Sequence, residues 1–84
     1  MSDKKVGVIT HYFDHIKVGI IKVTTPIKIG DKLHFKGHTT DFIQEIKEMQ
    51  IEHESISGAK KGQEIGVKVK EHVREGDEVL VVIT

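Results

Sequence analysis

The chain contains no cysteine. Disulfide frameworks, thiolate metal sites and cysteine nucleophiles are therefore excluded. Proline occurs once, at Pro26, and aromatic residues are limited to Tyr12, Phe13, Phe35 and Phe42. No apolar run approaches the length of a membrane span. The opening MSDKKVGVIT is charged and carries only a short, alternating apolar run, unlike a signal peptide. These features predict a soluble, cytoplasmic protein. Formal net charge is zero, with 13 basic and 13 acidic residues, which argues against a strong nonspecific polyanion binder. Catalytic and nucleotide signatures are also missing. Ser2, Ser55 and Ser57 lack a Gly-x-Ser-x-Gly context. Lys60-Lys61, between Gly58 and Gly62, has no following Ser/Thr or helix to make a phosphate-binding loop. No metal or cofactor motif is present, since none of the six histidines belongs to a His-Glu-x-x-His pattern.

What is present is a single small domain over residues 1–84, with enough apolar material for a core (37%). Most of it alternates. In KVGVITHY (5–12), Val6, Val8, Thr10 and Tyr12 fall on one face and Lys5, Ile9 and His11 on the other, as in a strand. IKVGIIKV (16–23) begins in phase and then breaks at Ile21 and Val23. With Gly19 inside it, this predicts a β-bulge. Pro26 marks a strand end. KLHF (32–35) alternates through Leu33 and Phe35, and IGVKV (65–69) through Ile65, Val67 and Val69. EVLVVIT (78–84) is apolar on both faces and reads as the most buried strand, closing a barrel. Residues 41–54 are ambiguous. Phe42, Ile46 and Met49 fit a helix, whereas Met49, Ile51 and His53 alternate as a strand.

Two segments echo each other, IKIGDKL (27–33) and VREGDEV (73–79). As an acid–base pair, Asp31 and Asp77 would have to converge in a pocket. As punctuation, each glycine supplies a positive φ and each aspartate bonds its own backbone. The flanking alternation favours the turn.

Charge is uneven along the chain. Residues 1–40 hold seven Lys against three Asp, a balance of +4, and residues 41–84 carry −4. Either one face is basic, or strands from the two halves interleave and the charges mix. His11 and Tyr12, flanked by Phe13, His15 and Lys17, could form a stacking platform with cations nearby if exposed, and a core role otherwise.

In order and spacing, the strand pair, Ile27 to Leu33, DFIQEIKEMQ, Ala59 to Gly66 and the final Gly76-Asp77 resemble the second domain of translation GTPases such as elongation factor Tu. A similar barrel is appended to collagenase-like peptidases, where its role looks like docking. The opening VGVITHYFDHI is somewhat closer to that variant. The resemblance implies an all-β fold, a small antiparallel closed β-barrel of six to seven strands, with residues 41–54 as a long bulged strand. Nucleotide hydrolysis is not implied, because the GTPase domain and its motifs are absent. Lys22 stands where that family usually has Arg, which keeps the charge but loses the planar fork. The expectation is therefore a non-catalytic domain binding RNA (tRNA or rRNA) or a ribonucleoprotein through His11, Tyr12, Lys17, Lys22 and Lys28. The alternative is a protein-interaction module docking on a peptidase or translation partner, with a small enzyme third. No cofactor, nucleotide or membrane is expected.

Overall fold

The computed structural model describes residues 2–52 and 54–83, with the side chains of Ser2 and Ile83 excepted. Ten strands follow one another with no helix among the described residues. They are β1 (Ser2–Phe13), β2 (Val18–Val23), β3 (Ile27–Lys28), β4 (Lys32–Lys36), β5 (Asp41–Glu45), β6 (Met49–Ile51), β7 (Glu54–Ile56), β8 (Gly58–Ala59), β9 (Glu64–Lys68) and β10 (Glu78–Ile83). Eight form one antiparallel sheet in the order β5-β4-β10-β1-β2-β9-β6-β7, while β3 and β8 pair separately. The all-β expectation holds. The closed barrel does not: among the described residues no main-chain ladder joins the two ends, and the sheet is open.

The sheet still encloses one core. Val6, Ile9, Ile21, Val23, Leu33, Phe35, Phe42, Ile65, Val67 and Val79 are all buried in a single cluster. Phe35 and Phe42 stack across β4 and β5 with centroids 4.9 Å apart. The predicted alternation is observed in β4, where Leu33 and Phe35 point inward, and in β9, where Ile65 and Val67 do. Pro26 lies between β2 and β3, as a residue without an amide donor should.

β1 departs from simple alternation. Its pairing with β10 slips by one residue between Lys5 and Gly7, and its pairing with β2 slips between Ile9 and His11. The extra residues are Val6 and Thr10. The Val6 carbonyl accepts the amides of Thr24 (2.7 Å) and Thr25 (3.2 Å) in the β2–β3 connection. Thr10 turns its hydroxyl to Ile20 O and Glu64 Oε1, each at 3.4 Å. The two bulges put Val6, Gly7, Ile9 and Tyr12 inward and leave Val8, His11 and Phe13 outward. The bulge expected at Gly19 thus sits on the opposite strand. β2 itself is regular, with Gly19, Ile21 and Val23 inward, and the apparent phase break arises because Val18 and Ile20 are outward apolar residues.

Among the described residues of 41–54 there is no helix, and the strands are short pieces rather than one long strand. β5 stops at Glu45 because Ile46 is clamped to the preceding turn: its amide donates to Asp31 O (2.8 Å) and its carbonyl accepts from Gly30 N (2.9 Å). Pairing resumes only at β6, whose Met49 and Gln50 meet Val67 and Gly66. His53 lies outside the described residues. The strand expected to close the barrel, β10, instead lies inside the sheet between β4 and β1.

The two Gly-Asp segments are turns of the same construction. In each, the aspartate carboxylate accepts an amide three residues back: Lys28 N to Asp31 Oδ2 at 3.0 Å, and Arg74 N to Asp77 Oδ2 at 2.9 Å. Each aspartate amide returns to the same residue's carbonyl at 3.1 Å. The glycines supply φ of +99° at Gly30 and +90° at Gly76. A third copy uses glutamine. Gly62 has φ +91°, Lys60 N donates to Gln63 Oε1 at 2.7 Å, and Gln63 N donates to Lys60 O at 3.2 Å. Asp31 and Asp77 therefore serve backbone geometry, each in its own corner.

The two charge halves interleave. Lys5 meets Glu78 at 3.4 Å across β1 and β10, and Lys22 faces Glu64 across β2 and β9.

Candidate functional site

The open seam is the most distinctive surface. β5 forms a ladder only with β4, so one of its edges has no strand partner among the described residues. Facing it is the end of β9. There the Val69 amide donates to Lys17 O at 2.8 Å, on the β2 side. The neighbouring groups, Lys68 O and Lys70 N, turn the opposite way, toward β5. Gln44 meets both: its Nε2 donates to Lys68 O and its Oε1 accepts from Lys70 N, each at 2.8 Å. Gln44 pairs with buried Leu33 and sits between inward Phe42 and Ile46. A polar residue thus occupies a position where the strand pattern calls for an apolar one, and it bridges the gap by side chain.

Along the seam runs a groove of about 740 Å³, bounded by Lys17, Ile43, Lys47, Glu48, Lys68 and Lys70 among others. A smaller hollow of about 270 Å³, between Ile16, Val18, Gln50 and Gly66, shares Glu48 and Lys68 with it. Gly66 is roofed by outward residues, since a Cβ there would lie 3.3 Å from Val18 Cγ1 and 3.7 Å from Ile20 Cδ1. Ile16 at 59% exposure and Ile43 at 47% flank this continuous surface, and Phe13 at 45% stands outward beside Val18. Apolar side chains this exposed in one region mark a contact surface more readily than scattered ones do.

The residues singled out from the sequence are distributed as follows. His11 points outward, 4.6 Å from the Phe13 ring and 3.3 Å from Glu75. Tyr12 faces inward, packs on the core and stands 4.5 Å from His72. Lys17 closes the β1–β2 hairpin at φ +55° and borders the seam groove. Lys22 is outward on β2, and Lys28 lies on the separate β3–β8 pair, exposed. The structure places His11 with Phe13 on the outer face, where the sequence reading puts His11 with Tyr12, because the Thr10 bulge turns Tyr12 inward. Gln44, Lys47, Lys68 and Lys70 escaped the sequence reading. The available signal was the polar residue inside Phe42-x-Gln44-x-Ile46.

A second polar feature crosses β1, β4 and β5 on the outer face. His34 Nδ1 lies 2.9 Å from Asp3 Oδ2, and its Nε2 lies 2.5 Å from Asp41 Oδ1. A carboxylate on each ring nitrogen favours the doubly protonated imidazolium of His34. The hydrogen bond to Asp3, then that to Asp41, raises its pKa, with partial burial opposing. No cluster of three or more His, Asp or Glu arranged for a metal occurs among the described residues. No helix in them is long and apolar enough to cross a membrane.

No family model matches this chain. An uncharacterised protease of Methanocaldococcus jannaschii is 38% identical over 76 residues, covering 89% of this chain and 19% of that protein. A collagenase of Porphyromonas gingivalis is 34% identical over 76 residues, covering 88% of this chain and 21% of the collagenase. The chain therefore spans about a fifth of the length of these relatives. Among solved structures, it matches the C-terminal domain of a protein described as a U32 peptidase from Geobacillus thermoleovorans. The TM-score is 0.89 at 18% identity, covering 95% of this chain and 93% of that domain. The selenomethionine form of the same domain gives a TM-score of 0.86 at 19% identity, covering 90% and 96%. These matches agree with the collagenase-like half of the resemblance drawn from the sequence. They overturn its other half, the translation-factor domain binding RNA, since the relatives and the shared fold both lie with peptidases. The chain has the fold of a peptidase's C-terminal domain.

Proposed function

We propose that this domain is a non-catalytic docking module of a peptidase system, contacting a peptidase through the surface around Phe13, Ile16 and the β5–β9 seam. The observation that carries the reading is the likeness over nearly the whole chain to short parts of much longer proteases, joined to the fold of a domain that stands apart at a peptidase's C-terminus. The surface chemistry supports it. Asp31 and Asp77, the candidate acid–base pair, are each engaged in a turn. Of the four large apolar residues that are exposed, Ile16 and Ile43 border the two adjoining hollows and Phe13 stands beside Val18, which lines one of them, while Ile29 borders neither. Interfaces of this kind bury a few apolar anchors within a charged rim.

The test is direct binding of the full chain to a purified U32-type peptidase from the same cell, read by calorimetry, with Phe13→Ser/Ile16→Asp as the surface variant. Binding that the double substitution weakens at least tenfold supports the proposal. Peptide hydrolysis by the isolated chain, or peptidase binding indifferent to both substitutions, overturns it.

A further inference from the structure

We infer that the β5–β9 seam is a strand-acceptor site, taking an extended acidic peptide segment of a partner protein beside β9, with Gln44 as the latch it displaces. The inference rests on the docking reading and names the chemistry of what docks.

The main-chain groups come first. A parallel neighbour bonds the carbonyl of one residue and the amide two residues on, which lie on the same side of an extended chain. Lys68 O and Lys70 N are such a pair, because the intervening Val69 amide faces the other way, to Lys17 O. Both are taken by the Gln44 carboxamide. That group carries a donor and an acceptor, as a peptide unit does. Gln44 thus stands in for a missing strand. An incoming residue would replace its two hydrogen bonds one for one, while the released carboxamide goes to water, so the exchange is nearly neutral in hydrogen bonding.

Space comes second. Paired strands lie about 4.8 Å apart, which leaves no room for a side chain spanning between them. At the seam a glutamine side chain and a 2.8 Å hydrogen bond span the gap, and the groove along it measures about 740 Å³. The free edge of β5 supplies a second row of main-chain partners.

Charge decides the occupant. The groove carries Lys17, Lys47, Lys68 and Lys70 against Glu45 and Glu48, with Ile43 exposed beside them. Four cations to two anions favour an acidic segment, and Ile43 favours one with apolar residues interspersed. Main-chain bonds would give affinity and the lysines selectivity, as in other cases of strand addition.

The test uses a fluorescein-labelled peptide, Glu-Val-Glu-Ile-Glu-Val-Glu, titrated against the full chain by anisotropy. Two control peptides accompany it: one with Lys in place of every Glu, and one N-methylated at alternate residues. The acidic peptide should bind at least tenfold more tightly than either control. Lys68→Glu/Lys70→Glu should weaken it at least tenfold, and Gln44→Ala should tighten it severalfold by removing the latch. Exchange of the Lys70 amide should slow on binding. Equal affinity for acidic and basic peptides, or for the N-methylated one, overturns the inference. So does absence of binding by a folded Gln44→Ala chain. Should that variant fail to fold, the lysine reversals and the N-methylated peptide decide alone. A chain that binds the peptidase, yet binds no acidic peptide and is indifferent to Lys68→Glu/Lys70→Glu, sinks the seam and leaves docking standing.

Discussion

Replacing each turn anchor in turn, as Asp77→Ala, Asp31→Ala and Gln63→Ala, separates local turn chemistry from burial. The three side chains make the same bond to an amide three residues back. Their surroundings differ. Asp77 is only 5% exposed, whereas Asp31 and Gln63 are reached by water. Removing an exposed acceptor lets water take its place, which costs about 0.5–1 kcal/mol. Removing the Asp77 carboxylate strips the Arg74 amide of its partner in a part-buried site and opens space against Gly37, which packs on that carboxylate. A bond to a charged group is worth about 1.5–3 kcal/mol, and for a domain of this size each kcal/mol moves Tm by about 4–8 °C. Asp77→Ala should therefore lower Tm by about 6–24 °C, and the other two by less than about 8 °C. Asp77→Asn, which keeps the acceptor, should recover much of the loss. The assay is thermal and urea unfolding followed by circular dichroism. Equal shifts at all three turns would refute burial as the deciding effect. An unchanged Tm for Asp77→Ala would refute the structural role itself.

Gly37→Ala drives a methyl into the Asp77 carboxylate and should cost about 1–3 kcal/mol in urea unfolding. In an Asp77→Ala background the added cost should largely vanish, since the two residues share one contact. His34, whose pKa is raised by Asp3 and Asp41, contributes stability that is fully present below its ordinary value near 6.5 and is lost as pH rises through the higher folded-state value. Tm should fall across that window, and His34→Gln should flatten the profile; a decline of the same size in the variant refutes the assignment. Phe13→Ser/Ile16→Asp should leave unfolding within about 0.5 kcal/mol of the parent, because both side chains are already exposed. A larger loss would mean that those residues hold the fold instead of meeting a partner.

Alternation made β4 and β9 legible, because Leu33, Phe35, Ile65 and Val67 each follow a polar or small outward neighbour. The Gly-Asp turns were equally readable, since a positive φ and a short carboxylate act within four residues. Two things could not be read. One was the pair of slips in β1, which are settled by where β2 and β10 place their carbonyls. The other was the interruption after Glu45, caused by Ile46 bonding to a turn fifteen residues earlier. Both are tertiary events that no window on the local pattern records. The seam shared that fate. Gln44 looks like an ordinary polar strand residue until Lys68 and Lys70, far along the chain, come to face it. The basic cluster from the sequence dispersed for a related reason: β10 and β9, from the acidic half, flank the β1–β2 pair, so Lys5 and Lys22 find acidic neighbours.

The extra residue at Thr10 carries a consequence for any relative or engineered form of this domain. Deleting that single position would straighten the strand yet leave its faces as they are, with His11 and Phe13 outward and Tyr12 inward. Drawing Thr10 into the regular ladder is what would exchange them: His11 and Phe13 would be driven beneath the sheet and Tyr12 expelled into water, turning the tip of the first hairpin inside out.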